Sequence, residues 1–168
     1  MMISQSMNTA LNGQIANELF ASMSYRQMAF EFDVMGLKVF AAKFQAQADE
    51  EHDHAMRIAK YVLDSGGNVE LAALDKPQCG FKAAQPMVEA ALASEVRVSK
   101  QIYGLADQAE SEKDHSTRSF LKWFIDEQVE EVSTMSDLLQ LVKMAGEANL
   151  VLVEQRLHDL MKTEAPAE

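Results

Sequence analysis

A chain of 168 residues, 48% of them hydrophobic, is long enough for one domain with a sizeable core, and its 15 Lys and Arg against 26 Asp and Glu leave a net charge of -11 at pH 7. That charge repels nucleic acid and acidic membrane surfaces and attracts cations, so cations are the first partners to look for. Three Pro, seven Gly and few β-branched runs point to an all-α protein, and a single cysteine, Cys79, excludes both an intrachain disulfide and a Cys-x-x-Cys zinc site.

In chain order, Met1 to Met7 lack the basic flank and apolar run of a signal peptide. Nowhere do about eighteen apolar residues follow one another, and a soluble cytoplasmic protein is expected. Residues 5 to about 34 predict a first helix, with Leu11, Ile15, Glu18, Ser22, Tyr25, Ala29 and Phe32 along one seam and Gly36 closing it. A second helix, about 39 to 63, carries Phe40, Phe44, Gln47, Glu51, His54, Ile58 and Tyr61 on its seam, and Ser65-Gly66-Gly67 stops it. Residues 66 to 85 then break the pattern, with Pro86 suited to the first turn of the next helix. A connection this long is enough to cross a four-helix bundle from end to end.

The third helix, about 86 to 112, has Val88, Ala91, Glu95, Val98, Ile102 and Leu105 on its seam. The fourth, about 116 to 145, has Leu121, Phe124, Gln128, Glu131, Met135, Leu138 and Val142. From Leu150 through Leu157, Leu160 and Met161 a short fifth helix is predicted, apolar over so much of its circumference that it must dock on the bundle or on another subunit. The tail 163–168 reads as frayed. The whole chain, 1–168, is expected to form one domain: a four-helix bundle with a long crossover between helices two and three and a short C-terminal helix.

The chemistry lies where the seams turn polar. Glu51 and His54, three apart on one helix face, can share a metal ion. Glu18 and Glu51 are 33 residues apart, as are Glu95 and Gln128, and His54 and Glu131 complete the two sets; the polar interruptions repeat with an offset of 77. Two helix pairs related by a pseudo-twofold axis would bring all six side chains to one level of the core. Four carboxylates buried there, with no Lys or Arg at seam positions, need cations, because an unpaired buried charge costs several kcal/mol. Two divalent ions would balance Glu18, Glu51, Glu95 and Glu131, and oxygen donors with one imidazole suit iron or manganese, with zinc a competitor. The implied roles are Glu18 and His54 as terminal ligands of one metal, Glu51 as the bridge, Glu95 and Glu131 on the second, and Gln128 as a weak ligand or a partner of one.

These residues carry a resemblance. Asn17-Glu18-Leu19-Phe20 with Tyr25, Glu50-Glu51-His52-Asp53-His54, Glu95, and Trp123 through Asp126-Glu127-Gln128-Val129-Glu130-Glu131 resemble the ferritins, above all the non-haem prokaryotic branch, over nearly the whole chain. The resemblance implies a five-helix subunit of a hollow 24-subunit shell that oxidises Fe(II) with O2 at a di-iron centre within each subunit and stores ferric mineral. It assigns Glu18, Glu51, His54, Glu95 and Glu131 to that ferroxidase centre. It implies a third iron position at Glu50, Glu127 and Glu130. It places Tyr25 beside the centre, where it can hydrogen-bond a ligand or donate an electron, with Trp123 a second candidate for that donation.

Two departures stand out. Bacterioferritins, which the chain resembles around Gly36-Leu37-Lys38, carry a second Glu-x-x-His where this chain has Gln128 and Glu131. They also hold haem between subunits through a methionine at the position of His52. Histidine can ligate haem iron, but nothing else in the chain demands haem, and none is expected. A haem-containing bacterioferritin and a di-iron peroxidase or oxygenase of the ferritin-like superfamily are the alternative functions. His115, His158 and Cys79 read as structural or surface groups, and 110–114 as a solvated turn rather than an iron entry channel.

Overall fold

The computed structural model describes residues 3–164, and among them the secondary structure is helical throughout. The elements are α1 (Gln5–Val34), α2 (Lys38–Asp64), α3 (Ala84–Ser111), α4 (His115–Ala145), a single 3-10 turn at Glu147–Asn149 and α5 (Leu150–Glu164). Each long helix begins and ends within two residues of where the apolar periodicity and its stop signals place it. Of the expected tail, residues 163 and 164 are the last two of α5, and 165–168 lie outside the described residues.

The helix starts show why the chain folds this way. Ser4 caps α1 by accepting a hydrogen bond from Met7 N at 2.9 Å, and Asp114 caps α4 by accepting from Thr117 N at 3.0 Å. Neither α2 nor α3 has a local side-chain cap. Their free N–H groups are met from the far end of the chain: Glu154 Oε1 accepts from Val39 N at 2.7 Å, while Glu147 accepts from Ala84 N at 3.1 Å and Gln85 N at 2.9 Å. A carboxylate at a helix N-terminus satisfies an orphan donor and meets the positive end of the helix dipole, a gain of about 1 kcal/mol each.

Helices α1 and α2 form one antiparallel hairpin, turned at Gly36 with φ 81°, and α3 and α4 form the other. The crossover runs back along α1, tied to it at both ends. Near its start Asn12 Nδ2 donates to Asn68 O, Asn8 Oδ1 accepts from Asn68 N, and Asn12 Oδ1 accepts from Glu70 N. Near its end Glu31 accepts from Gly80 N and Phe81 N. From Asn12 to Glu31 is roughly 30 Å along a helix axis, so the crossover returns the chain to the level where α2 began, and α3 runs parallel to α2.

The core is two apolar clusters with a polar layer between them. One holds Phe32, Phe40, Phe44, Met87, Met135 and Val142, closed by Leu150, Val153 and Leu157 of α5. The other holds Met7, Leu11, Ile15, Ile58, Ile102 and Leu121. The fifth helix thus docks on its own bundle, and it also leaves Val151 and Leu152 exposed. Among the described residues no helix is long and apolar enough to cross a membrane.

Gly67 marks the tightest point of the crossover. A methyl group there would lie 2.3 Å from Asn8 Oδ1, 2.9 Å from Val62 Cγ1 and 3.0 Å from Ile3 Cδ1. Gly67→Ala is expected to cost about 1–3 kcal/mol by overpacking, read as a lower midpoint in urea unfolding; an unchanged midpoint would show that Asn8 moves aside freely.

Candidate metal centre

Helical spacing brings the polar layer together. Glu18 of α1, Glu51 of α2 and Glu95 of α3 are each 0% exposed, and Gln128 of α4 is 2% exposed; His54 and Glu131 complete the layer as buried groups. Ligand atoms of Glu18, Glu51 and His54 all lie within 4.8 Å of one another, close enough for one metal ion. His54 Nδ1 is 3.3 Å from Glu51 Oε2. His54 is the basic side chain paired with Glu51 within this layer.

Neutral donors hold the carboxylates. Gln14 Nε2 donates to Glu18 Oε1 at 2.9 Å, Tyr25 OH donates to Glu95 Oε1, and Gln47 Nε2 donates to Glu51 Oε1 at 3.2 Å and to Glu131 Oε2 at 2.8 Å. Glu18 Oε2 and Glu95 Oε2 are buried with no hydrogen-bond partner. An orphaned buried acceptor costs about 1–3 kcal/mol, more when charged. Carboxylates whose second oxygens point into a dry layer beside an imidazole form a donor set that fits a hard or borderline divalent cation.

The electrostatics follow from that crowding. Burial raises the pKa of Glu18, with the charge of Glu51 adding to it, and burial and Glu51 raise Glu95 in the same way. Glu131 is raised to about 7, again chiefly by burial, with Gln47 opposing the shift. For His54 burial works against the charged ring, but the hydrogen bond and charge of Glu51, with Glu18 and Glu131 behind them, lift it to about 9. Tyr25 is held well above the usual phenol range by burial and by Glu95.

The remaining expected residues separate. Tyr25 is 1% exposed and reaches Glu95 directly. Trp123 meets His54 edge-on at 5.4 Å between ring centroids and carries the Arg57 guanidinium 3.8 Å above its ring. Gln128 sits at the level of the layer, with Ser99 Oγ 2.9 Å from its side-chain oxygen. Glu50, Glu127 and Glu130 are not brought within 4.8 Å of one another; Glu127 instead gathers with His54 and Glu131, while Glu50 and Glu130 are exposed. His52 is exposed and lines an open cavity of about 510 Å³ with Leu19, Met23, Arg26, Asp49 and Leu74. Cys79, His115 and His158 are exposed, and 112–114 form the turn that ends in the Asp114 cap. Three further polar side chains at the layer, Gln14, Gln47 and Ser99, are not among the residues that the sequence marks as ligands. The signal for the two glutamines was their place four residues before Glu18 and Glu51, where an amide meets a carboxylate on one helix face.

Comparisons with known proteins bear on the family and the fold. The family model described as Ferritin, ferritin-like domain, matches residues 8–145. The chain is 34% identical over 156 residues to a bacterial non-heme ferritin of Bacteroides fragilis, covering 93% of this chain and 98% of that one. It is 35% identical over 158 residues to a bacterial non-heme ferritin of Staphylococcus haemolyticus, covering 93% and 95%. Among solved structures, an open pore ferritin from Archaeoglobus fulgidus superposes with a TM-score of 0.90 at 35% identity, covering 93% of this chain and 96% of that one.

A pH dependence follows from the layer. Glu18, Glu95, Glu131 and His54 each bind protons more tightly in the fold than in the unfolded chain, so unfolding releases protons and stability falls as pH rises. The contribution of Glu131 is complete below its ordinary 4.5 and lost as pH passes about 7, and that of His54 is complete below 6.5 and lost through about 9. Chelator-treated protein is therefore expected to show a falling thermal midpoint from pH 5 to 9, a slope that Glu18→Gln and Glu95→Gln reduce. Divalent cation should reverse the slope, because binding favours the deprotonated ligands. A flat profile in the chelated protein would contradict the assignment.

Proposed function

This chain belongs to the ferritin family, and from that premise we propose that it stores iron, oxidising Fe(II) with O2 at the buried layer and passing the ferric product to a mineral held in a shell of identical subunits. The observation that carries the reading is the layer itself. Four carboxylates and one histidine drawn from four helices are sealed between two apolar clusters, and the second oxygens of Glu18 and Glu95 have no partner in the protein.

In the proposed mechanism iron is the substrate. Glu18 and His54 hold one Fe(II), Glu95 and Glu131 the other, and Glu51 bridges them. Each ion gives up one electron, and O2 takes both with two protons to leave hydrogen peroxide. The protein contributes proximity, since both reductants are held in one site, and anionic oxygen ligands that favour the ferric product. Protons displaced when the metals enter come from Glu18, Glu95 and His54, whose raised pKa values leave them protonated at neutral pH. Tyr25, donating to Glu95, steadies that ligand. Glu127, gathered with His54 and Glu131, offers the first step away from the centre, with Glu50 and Glu130 beyond it, toward the shell interior.

Assembly is part of the proposal. The exposed Val151 and Leu152 on α5, and Phe30 and Val34 on α1, are apolar surface that contacts between subunits would cover, in the 24-subunit cytoplasmic shell that the family resemblance implies. Light scattering on the native protein should give the mass of a large closed assembly; monomers alone would count against storage.

The catalytic proposal is tested by stopped-flow absorbance after aerobic addition of Fe(II). Glu51→Ala and Glu95→Ala are expected to slow ferric product formation by more than about 100-fold, beyond the 10–100-fold typical of residues that only support a ligand. Rates equal to wild type in both variants would sink the ferroxidase assignment.

A further inference from the structure

Gln47 donates hydrogen bonds to two of the layer's carboxylates. It lies on α2, is 1% exposed, and its Nε2 donates to Glu51 Oε1 at 3.2 Å and to Glu131 Oε2 at 2.8 Å. A primary amide nitrogen has two N–H bonds, so each proton serves one acceptor and none is left over. The acceptors stand on different helices. Backbones pack closely between α1 and α2, between α3 and α4 and, less extensively, between α1 and α3, whereas α2 meets α4 through side chains such as Tyr61 on Phe120 and His54 on Trp123. Gln47 spans that gap at the level of the layer.

Without such a tie, two like-charged carboxylates facing each other across a dry gap would rotate apart. With it, one oxygen of each is drawn to a common nitrogen. Glu51 Oε2 is left beside His54, and Gln47 engages only Oε2 of Glu131, not its other oxygen. We propose that Gln47 is a positioning residue that sets the separation of Glu51 and Glu131, so that the centre holds two ions at once rather than one. The proposal rests on the two-ion reading above and adds to it a residue that touches neither ion.

The molecule contains its own control. Gln14 has the same four-residue relation to Glu18 that Gln47 has to Glu51, but it reaches only that one carboxylate, on its own helix. Losing it removes a hydrogen bond without untying two helices.

The experiment is an anaerobic titration of the assembled, chelator-treated protein with Co(II), followed by calorimetry and by the visible absorption of the bound ion, for wild type, Gln47→Met, Gln47→Asn and Gln14→Met. Methionine keeps the volume and removes the donors; asparagine keeps the amide but is too short to reach both acceptors. Light scattering and the thermal midpoint without metal report on assembly and folding. In both Gln47 variants the second equivalent of Co(II) is expected to weaken by about tenfold or more, with a changed visible spectrum, while the first stays within about threefold of wild type. Gln14→Met is expected to leave the second equivalent within about threefold. Gln47 variants that bind both equivalents with wild-type affinity and spectrum overturn the proposal, as does an equal change in Gln14→Met. A wild-type protein that binds fewer than two Co(II) per subunit overturns the two-ion reading itself, a separate outcome.

Discussion

Repulsion among four carboxylates in a sealed layer is the constraint around which this bundle is arranged. Glu18, Glu51, Glu95 and Glu131 sit between two apolar clusters, where water cannot screen them. Protons can relieve the repulsion, and the raised pKa values of Glu18, Glu95 and Glu131 are that relief. In the proposed reading a pair of divalent cations would relieve it more completely, because cations would satisfy the orphaned oxygens as well as the charge. The destabilisation left in the protein alone is therefore a source of binding free energy for metal.

The choice of neutral donors follows from the same constraint. An Arg or Lys in the layer would settle the charge permanently and compete with the cation. Gln14, Tyr25 and Gln47 each fix a carboxylate oxygen in place without neutralising it. The carboxylates are thereby oriented without a fixed counter-charge, so that protons and cations compete for them. The two flanking clusters, with Phe32 stacked on Phe40 and edge-on to Phe44 on one side and Trp123 and Phe124 set edge-on to His54 on the other, keep water from screening the carboxylates.

The helices, the crossover and the six polar seam positions were legible in the sequence because they are periodic. A Glu at a position that the 3.6-residue repeat assigns to the core stands out against its Leu and Phe neighbours, and the 77-residue offset relates the two halves before any coordinates exist. What stayed hidden depends on partners distant in sequence. Gln47 was on the expected seam, yet its contact with Glu131, 84 residues away, leaves no local trace. The gathering of Glu127 with His54 and Glu131, rather than with Glu50 and Glu130, turns on side-chain direction across two helices, which spacing along one helix does not specify. The caps supplied by Glu147 and Glu154 belong to the same class: each sits beside an apolar run and reads as an ordinary surface acid until the fold brings it to a helix start more than sixty residues earlier.

Those two caps bear on how the chain is made. During synthesis the N-terminal parts of a protein emerge from the ribosome first and begin to fold as they appear. Here α2 and α3 emerge with their first N–H groups unmet, and the carboxylates that complete them arrive only with the last segment of the described chain. The same segment supplies Leu150, Val153 and Leu157 to close one apolar cluster, and Val151 and Leu152 to the outer surface. A nascent or clipped chain ending before Glu147 thus lacks at once the finish of two helices, the apolar residues that close one core cluster, and the α5 part of the exposed apolar surface, so that completing the bundle and completing that surface are a single event.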